Sequence, residues 1–140
     1  LNILLVDDDY LLAKGTAKLI QRLGNHNVLT TEDPQVLFQQ CRSGTIDLVL
    51  MDVNLPAARW NGKQVSGADL TRSLKSDPRT ARIPVILITA YAMLSERQKL
   101  LEASQADEFF AKPITSYQVL LETMDRLYAR SRQLDDPLMG

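Results

Sequence analysis

Ile3-Leu4-Leu5-Val6-Asp7-Asp8-Asp9 sets four apolar residues directly against three aspartates. An apolar run that short, without alternation, reads as a strand buried on both faces. The arrangement returns further along the chain. Ile46 to Met51, interrupted by Asp47, runs into Asp52-Val53-Asn54. Pro84-Val85-Ile86-Leu87-Ile88 runs into Thr89-Ala90, and Asp107-Glu108-Phe109-Phe110-Ala111 into Lys112-Pro113. Asn27-Val28-Leu29-Thr30 is a weaker strand between the first two.

Helical patterns fill the intervals. From Tyr10 to Leu23, Leu12, Thr16, Leu19, Ile20 and Leu23 recur at helical spacing, with Asp8 or Asp9 as cap and Gly24 as stop. Asp33-Pro34 opens a second helix in cap-then-proline order, with Val36, Leu37, Gln40 and Cys41 on one face. Leu70 and Leu74 mark a third, stopped by Asp77-Pro78, and Met93, Leu100 and Leu101 a fourth. Tyr117, Leu120, Leu121, Met124, Leu127 and Tyr128 form the clearest stripe, on a fifth helix. Five strands alternating with five helices predict βαβ units with right-handed crossovers. The expected fold is α/β, an open doubly wound five-stranded parallel sheet. A closed eight-stranded barrel needs a much longer chain.

The 140 residues are one domain's worth, since domains run to about 100–200 residues. The domain is expected over 1–130, with 131–140 a frayed tail or linker. Hydrophobic residues make up 45% and charged residues 24%, an ordinary globular balance. The net charge of −1 gives no basic excess for direct nucleic-acid binding. The single Cys41 excludes an internal disulfide, and the single His26 any His–His metal pair. No apolar run reaches the roughly 18 residues of a membrane span. The start lacks the basic flank of a signal peptide, and its missing initiator methionine fits a trimmed or excised segment. A cytoplasmic location is expected.

In open α/β sheets, sites form beyond the carboxyl ends of the strands, where strand order reverses. Here those ends carry Asp7, Asp8 and Asp9, then Asp52, then Thr89, then Lys112. Taken singly, the aspartates are a solvated loop or a helix cap. Thr89 alone is a strand-end hydroxyl, Lys112 a surface lysine and Pro113 a loop proline. Their convergence on one rim makes the case. Asp7, Asp8 and Asp52 would crowd three carboxylates together, a costly arrangement unless a cation neutralises them. An all-oxygen donor set favours a hard ion, Mg²⁺ before zinc. Three carboxylates, a divalent cation and the Lys112 ammonium sum to zero charge. Such a site can receive an anionic group, and a carboxylate can attack a phosphoryl donor directly. The Thr89 hydroxyl could donate to a phosphoryl oxygen.

These motifs resemble a known family. Leu4-Leu5-Val6-Asp7-Asp8-Asp9, Leu48-Val49-Leu50-Met51-Asp52-Val53-Asn54-Leu55-Pro56, Pro84-Val85-Ile86-Leu87-Ile88-Thr89-Ala90 and Phe110-Ala111-Lys112-Pro113 are similar to those of the response regulator receiver domain of two-component systems. The resemblance runs from about Asn2 to Arg130. It implies a flavodoxin-like, CheY-like sheet of order 2-1-3-4-5. It also implies that Asp52 is the phosphoacceptor. Asp8, Asp52 and the Asn54 backbone carbonyl would bind Mg²⁺, and Asp7 would assist. Thr89 would be the switch hydroxyl, Lys112 the partner of the phosphoryl group, and the bond before Pro113 cis. Phe109 stands where the family usually has Tyr or another aromatic, and keeps the ring without the hydroxyl. Tyr91 could shield the phosphoryl group and slow its loss.

The implied activity is self-catalysed phosphorylation and dephosphorylation rather than conventional enzyme turnover. The donor would be a histidine kinase or phosphotransfer protein. The signal would leave through the surface of helix 4, strand 5 and helix 5, to a downstream protein or an attached output domain. A homodimer stays open. The alternative is a pseudo-receiver, a binding module independent of phosphorylation, although every key residue is present. A haloacid dehalogenase-type phosphatase is disfavoured because Leu11 stands where that motif needs Thr. Nucleotide binding at the first strand lacks its Gly-rich loop. The main departure from the family is the long Pro56–Gly67 loop, with the only tryptophan, Trp60. It is read as a tolerated surface insertion with Trp60 folded onto the body, before a lid or partner contact.

Overall fold

The computed structural model describes residues 1–90 and 94–135. Its main sheet joins β1 (Asn2–Val6), β2 (Asn27–Thr31), β3 (Leu48–Asp52), β6 (Val85–Thr89) and β7 (Glu108–Ala111). All neighbours are parallel, in the order β2-β1-β3-β6-β7. With the main-sheet strands counted alone, this is the expected 2-1-3-4-5 order. Five helices cover the sheet: α1 (Tyr10–Gly24), α2 (Pro34–Arg42), α3 (Gly67–Ser76), α4 (Leu94–Ser104) and α5 (Tyr117–Asp135).

The pleat sends alternate residues of the central strands into two cores. Leu4, Val6, Val49, Met51, Val85 and Leu87 pack with Leu37 and Phe38 of α2 and Leu70 and Leu74 of α3. Ile3, Leu5, Leu48, Leu50, Ile86 and Ile88 pack with α1 and α5 on the other face. Each face is apolar because each is covered, which is why these strands read as unbroken runs. Among the described residues, no helix is long and apolar enough to cross a membrane.

Several expected details change. On α1 the buried positions are Ala13, Ala17 and Ile20, while Leu12, Leu19 and Leu23 are exposed. Small residues at i and i+4 let the helix sit close to the sheet, so the bulkier leucines mark the outer face. On α2, Phe38 is buried beside Leu37 and Cys41, and Val36 and Gln40 are only half-buried. The thiol of Cys41 is free and part of the core. Asp9, rather than Asp8, caps α1, accepting from the Leu12 N–H at 3.1 Å. The α1 helix is closed by Asn25 in the left-handed region, one residue after Gly24. The last helix continues to Asp135, past the boundary expected at residue 130.

The long loop after β3 is not structureless. It contains an antiparallel hairpin, β4 (Arg59–Trp60) and β5 (Lys63–Gln64). Asn61 and Gly62 turn it with φ of 53° and 78°, the conformation that an Asn-Gly pair favours in a two-residue hairpin. Trp60 lies against Phe38 with ring centroids 4.5 Å apart, so the insertion folds onto α2 as expected. Tyr91 and Met93 lie outside the described residues.

Candidate functional site

The carboxyl ends of β1 and β3 are neighbours, with Val6 paired to Met51. Asp7 follows the first strand and Asp52 ends the third. Both are buried, at 8% and 5% exposure, whereas Asp8 is exposed. One carboxylate oxygen from each of Asp7, Asp8 and Asp52 falls within 4.8 Å of the others. The sequence expectation that these three meet is therefore realised in space. Asp9, used as a helix cap, stands apart from the cluster.

Lys112 follows β7 and reaches across the rim. Its Nζ donates to Asp52 Oδ2 at 2.7 Å and to Asp7 Oδ2 at 2.8 Å. The remaining oxygens are held by backbone: Asp9 N–H donates to Asp7 Oδ1 and Asn54 N–H to Asp52 Oδ1. The loop after each strand thus folds back on the carboxylate that begins it. The Lys112 N–H donates to the Thr89 carbonyl at 2.9 Å, which ties the lysine to the end of β6. Thr89 itself is fully buried. The Lys112–Pro113 peptide is cis.

Burial raises the Asp52 carboxyl above its ordinary pKa, and the nearby Asp7 charge pushes the same way. Hydrogen bonds from Lys112 and the Asn54 N–H offset only part of this. Burial would lower the Lys112 ammonium, but its hydrogen bonds to Asp52 and Asp7 outweigh it and raise its pKa. The site therefore keeps its lysine charged while its central carboxylate is under-neutralised. One ammonium against three carboxylates leaves an excess of negative charge, which is the chemistry of a cation site. The donors are all oxygen, as Mg²⁺ requires.

Two features went unnoticed in the sequence. Gly67, read only as a loop former, opens α3 directly behind Asp52. A Cβ there would overlap the Asp52 carbonyl oxygen and crowd Met51 Cγ. Its N–H donates to the Val53 carbonyl at 2.9 Å. The only signal was a glycine at the far end of the insertion. At the β7 edge of the sheet, Arg97 of α4 donates to Glu108 Oε1 at 2.9 Å, and its guanidinium lies 5.6 Å from the Phe109 ring centroid. Phe109 is buried at 7% exposure. No periodicity announces such a cross-element contact.

The fold and rim define a doubly wound α/β domain with an acidic site at its topological switch point. The model of the response regulator receiver domain matches residues 3–124, and the chain belongs to that family. It is a receiver domain of the two-component type, a class that works with histidine kinases or phosphotransfer proteins. It is 34% identical over 91% of its length to a gliding motility regulatory protein of Myxococcus xanthus, of which it spans 15%. It is 30% identical over 93% of its length to the chemotaxis protein CheY of Pseudomonas aeruginosa, of which it spans 98%. Among solved structures, the receiver domain of a sensor histidine kinase from Pseudomonas aeruginosa superposes with a TM-score of 0.73 at 24% identity. That comparison covers 91% of this chain and 97% of the other, whose active-site cleft coordinates a magnesium ion.

Proposed function

We propose that this domain receives a phosphoryl group on Asp52 from a phosphohistidine of a histidine kinase or phosphotransfer protein. The observation that supports it most directly is the Lys112 bridge between the buried Asp52 and Asp7, beside the exposed Asp8. An Asp52 carboxylate oxygen forms the new O–P bond as the P–N bond of the donor breaks. The bonding pair leaves on the imidazole nitrogen. The under-neutralised carboxylate is a better nucleophile than a fully paired one.

Asp8, Asp52 and the Asn54 carbonyl would hold Mg²⁺, with Asp7 assisting. When bound, the ion supplies positive charge that offsets the phosphoryl oxygens. Lys112 can transfer one hydrogen bond from carboxylate to phosphoryl oxygen without leaving its place. The Thr89 hydroxyl is the candidate donor to a second oxygen. The readout is a shift in population of the α4–β7–α5 face, through Thr89 and Phe109. The protein acts in the cytoplasm on this reading.

The test is incubation with Mg²⁺ and acetyl phosphate, read by intact mass. Wild type is expected to gain one phosphoryl group, and Asp52→Asn none. An unmodified wild type would overturn the reading in favour of a phosphorylation-independent binding module, and an adduct that survives Asp52→Asn would overturn Asp52 as the acceptor.

A further inference from the structure

β7 is an outer strand of the sheet, paired only with β6. Every position of β6 is buried, whereas Phe109 alone is buried in β7. Apolar burial therefore fixes β7 less firmly than the strand beside it. Charge fixes it instead. Among the described residues, five ion pairs end on the segment from Asp107 to Lys112. Asp107 holds Lys75 of α3 at 2.7 Å. Glu108 holds Arg97 of α4 at 2.9 Å and meets Arg126 of α5 at 3.6 Å. Lys112 holds Asp52 and Asp7 at 2.7 and 2.8 Å. The strand is tied by carboxylates where it starts and by an ammonium where it reaches the acidic rim.

The three cations at the start differ in what else they do. Lys75 also donates to the Ala81 and Ile83 carbonyls, so it braces the loop before β6. Arg126 is exposed and beyond hydrogen-bond distance. Arg97 bonds Glu108 Oε1, the same oxygen that accepts the Phe109 N–H at 3.1 Å. Its guanidinium also covers the Phe109 ring. An exposed ion pair alone contributes little. This one engages a carboxylate, through it a strand N–H, and the one buried side chain of the strand.

From Glu108 to Lys112 the chain spans four steps, roughly 13 Å at about 3.3 Å per residue in a strand. Bond lengths and planar peptides make that span stiff along its axis. We infer that Arg97 is a positioning residue for the acidic rim: through Glu108 and β7 it sets where the Lys112 ammonium meets Asp52 and Asp7. A displacement of about 1 Å at a reacting group, caused far from the chemistry, is enough to cost about a hundredfold in rate. The mechanical link holds whether or not Asp52 is phosphorylated, and only the rate measurement below rests on that reading.

The experiment is a double-mutant cycle on the whole chain, read by urea unfolding without metal: Arg97→Ala, Lys112→Ala and both together. Distant sites with no shared partner give additive losses. Here the double variant is expected to lose clearly less than the sum of the single variants, because the clamp has nothing to position once Lys112 is gone. Glu108→Gln in place of Arg97→Ala should give the same shortfall. Arg42→Ala breaks the pair with Asp77, away from β7, and should be additive with Lys112→Ala. With acetyl phosphate and saturating Mg²⁺, Arg97→Ala should take up the phosphoryl group at least about threefold more slowly, and Arg97→Lys should recover part of the rate. Additive losses for Arg97 and Lys112 overturn the inference. So does an equal shortfall in the Arg42 pair, which would mark general loosening, or an Arg97→Ala rate equal to wild type. A wild type that takes up no phosphoryl group overturns the Asp52 reading instead, and the unfolding cycle still decides this one.

Discussion

Gly67 and Asp52 are fifteen positions apart in sequence and in van der Waals contact in space: the glycine Cα faces the Asp52 carbonyl with no room for a side chain. The start of α3 is thereby pressed against the backbone that carries the acidic site. Gly67→Ala should cost on the order of 1–3 kcal/mol, the usual penalty for overpacking, because backbone must move. It should also slow phosphoryl uptake. Urea unfolding and the acetyl phosphate assay on one preparation would check both, and a variant equal to wild type in each would contradict the contact.

The raised carboxyl of Asp52 has a consequence for stability. Its folded pKa lies above the unfolded value, so the folded state binds the proton more tightly. That contribution is fully present below the unfolded pKa and is lost as pH rises through the folded one. Asp52→Asn removes the charged form altogether. In chelator, at neutral pH, it should stabilise the domain by about 0.5–2 kcal/mol, the range common for a single stabilising substitution. The gain should shrink as pH falls through the carboxylate range. Thermal melts across that range would show it, and a variant less stable than wild type at neutral pH would refute it.

Mg²⁺ should raise the melting temperature in a concentration-dependent way, because an ion that binds the native site alone stabilises by mass action. Asp8 is exposed, and its removal leaves the Lys112 bridge intact. Asp8→Ala should therefore keep the metal-free melting temperature close to wild type and lose most of the Mg²⁺-dependent rise. Differential scanning fluorimetry with added Mg²⁺, then with chelator, reads both effects.

The hairpin insertion is anchored by Trp60 on Phe38. Trp60→Ala should cost about 1–2 kcal/mol from lost apolar contact and ring pairing. Labelling by acetyl phosphate should change little, since the ring packs on α2 and not on the acidic cluster. As the only tryptophan, Trp60 also reports its own release through a red-shifted emission on unfolding.

Burial pushes the Cys41 thiol up to about 12. At pH 8 the native protein should react with a disulfide reagent only at the rate of unfolding, and at once in denaturant. Rapid labelling of folded protein would mean that α2 leaves the sheet readily.

Much of this molecule is legible in its sequence. Leu48 to Met51 and Val85 to Ile88 are apolar at every position, and only strands covered on both faces need that. Polar groups at the strand ends then had to share one rim. The face of α1 was not legible. Leucine at 12, 19 and 23 outweighs alanine at 13 and 17 in any count of apolar character, yet the alanines face the sheet. How closely a helix approaches its partner is set by the smallest residues between them. The hairpin signal Asn61-Gly62 was present, but strands of two residues leave too little pattern to register.

The order of types along the chain, by itself, determined a doubly wound domain and nominated Asp7, Asp8, Asp52, Thr89 and Lys112. Local spacing carries that much because strands and helices bury side chains at fixed periods. Only the tertiary structure decided that Lys112 bridges Asp52 and Asp7, that Gly67 backs Asp52, and that Arg97 lies over Phe109. Those contacts join residues on different elements. Their distances follow from how the layers pack, which no local period encodes.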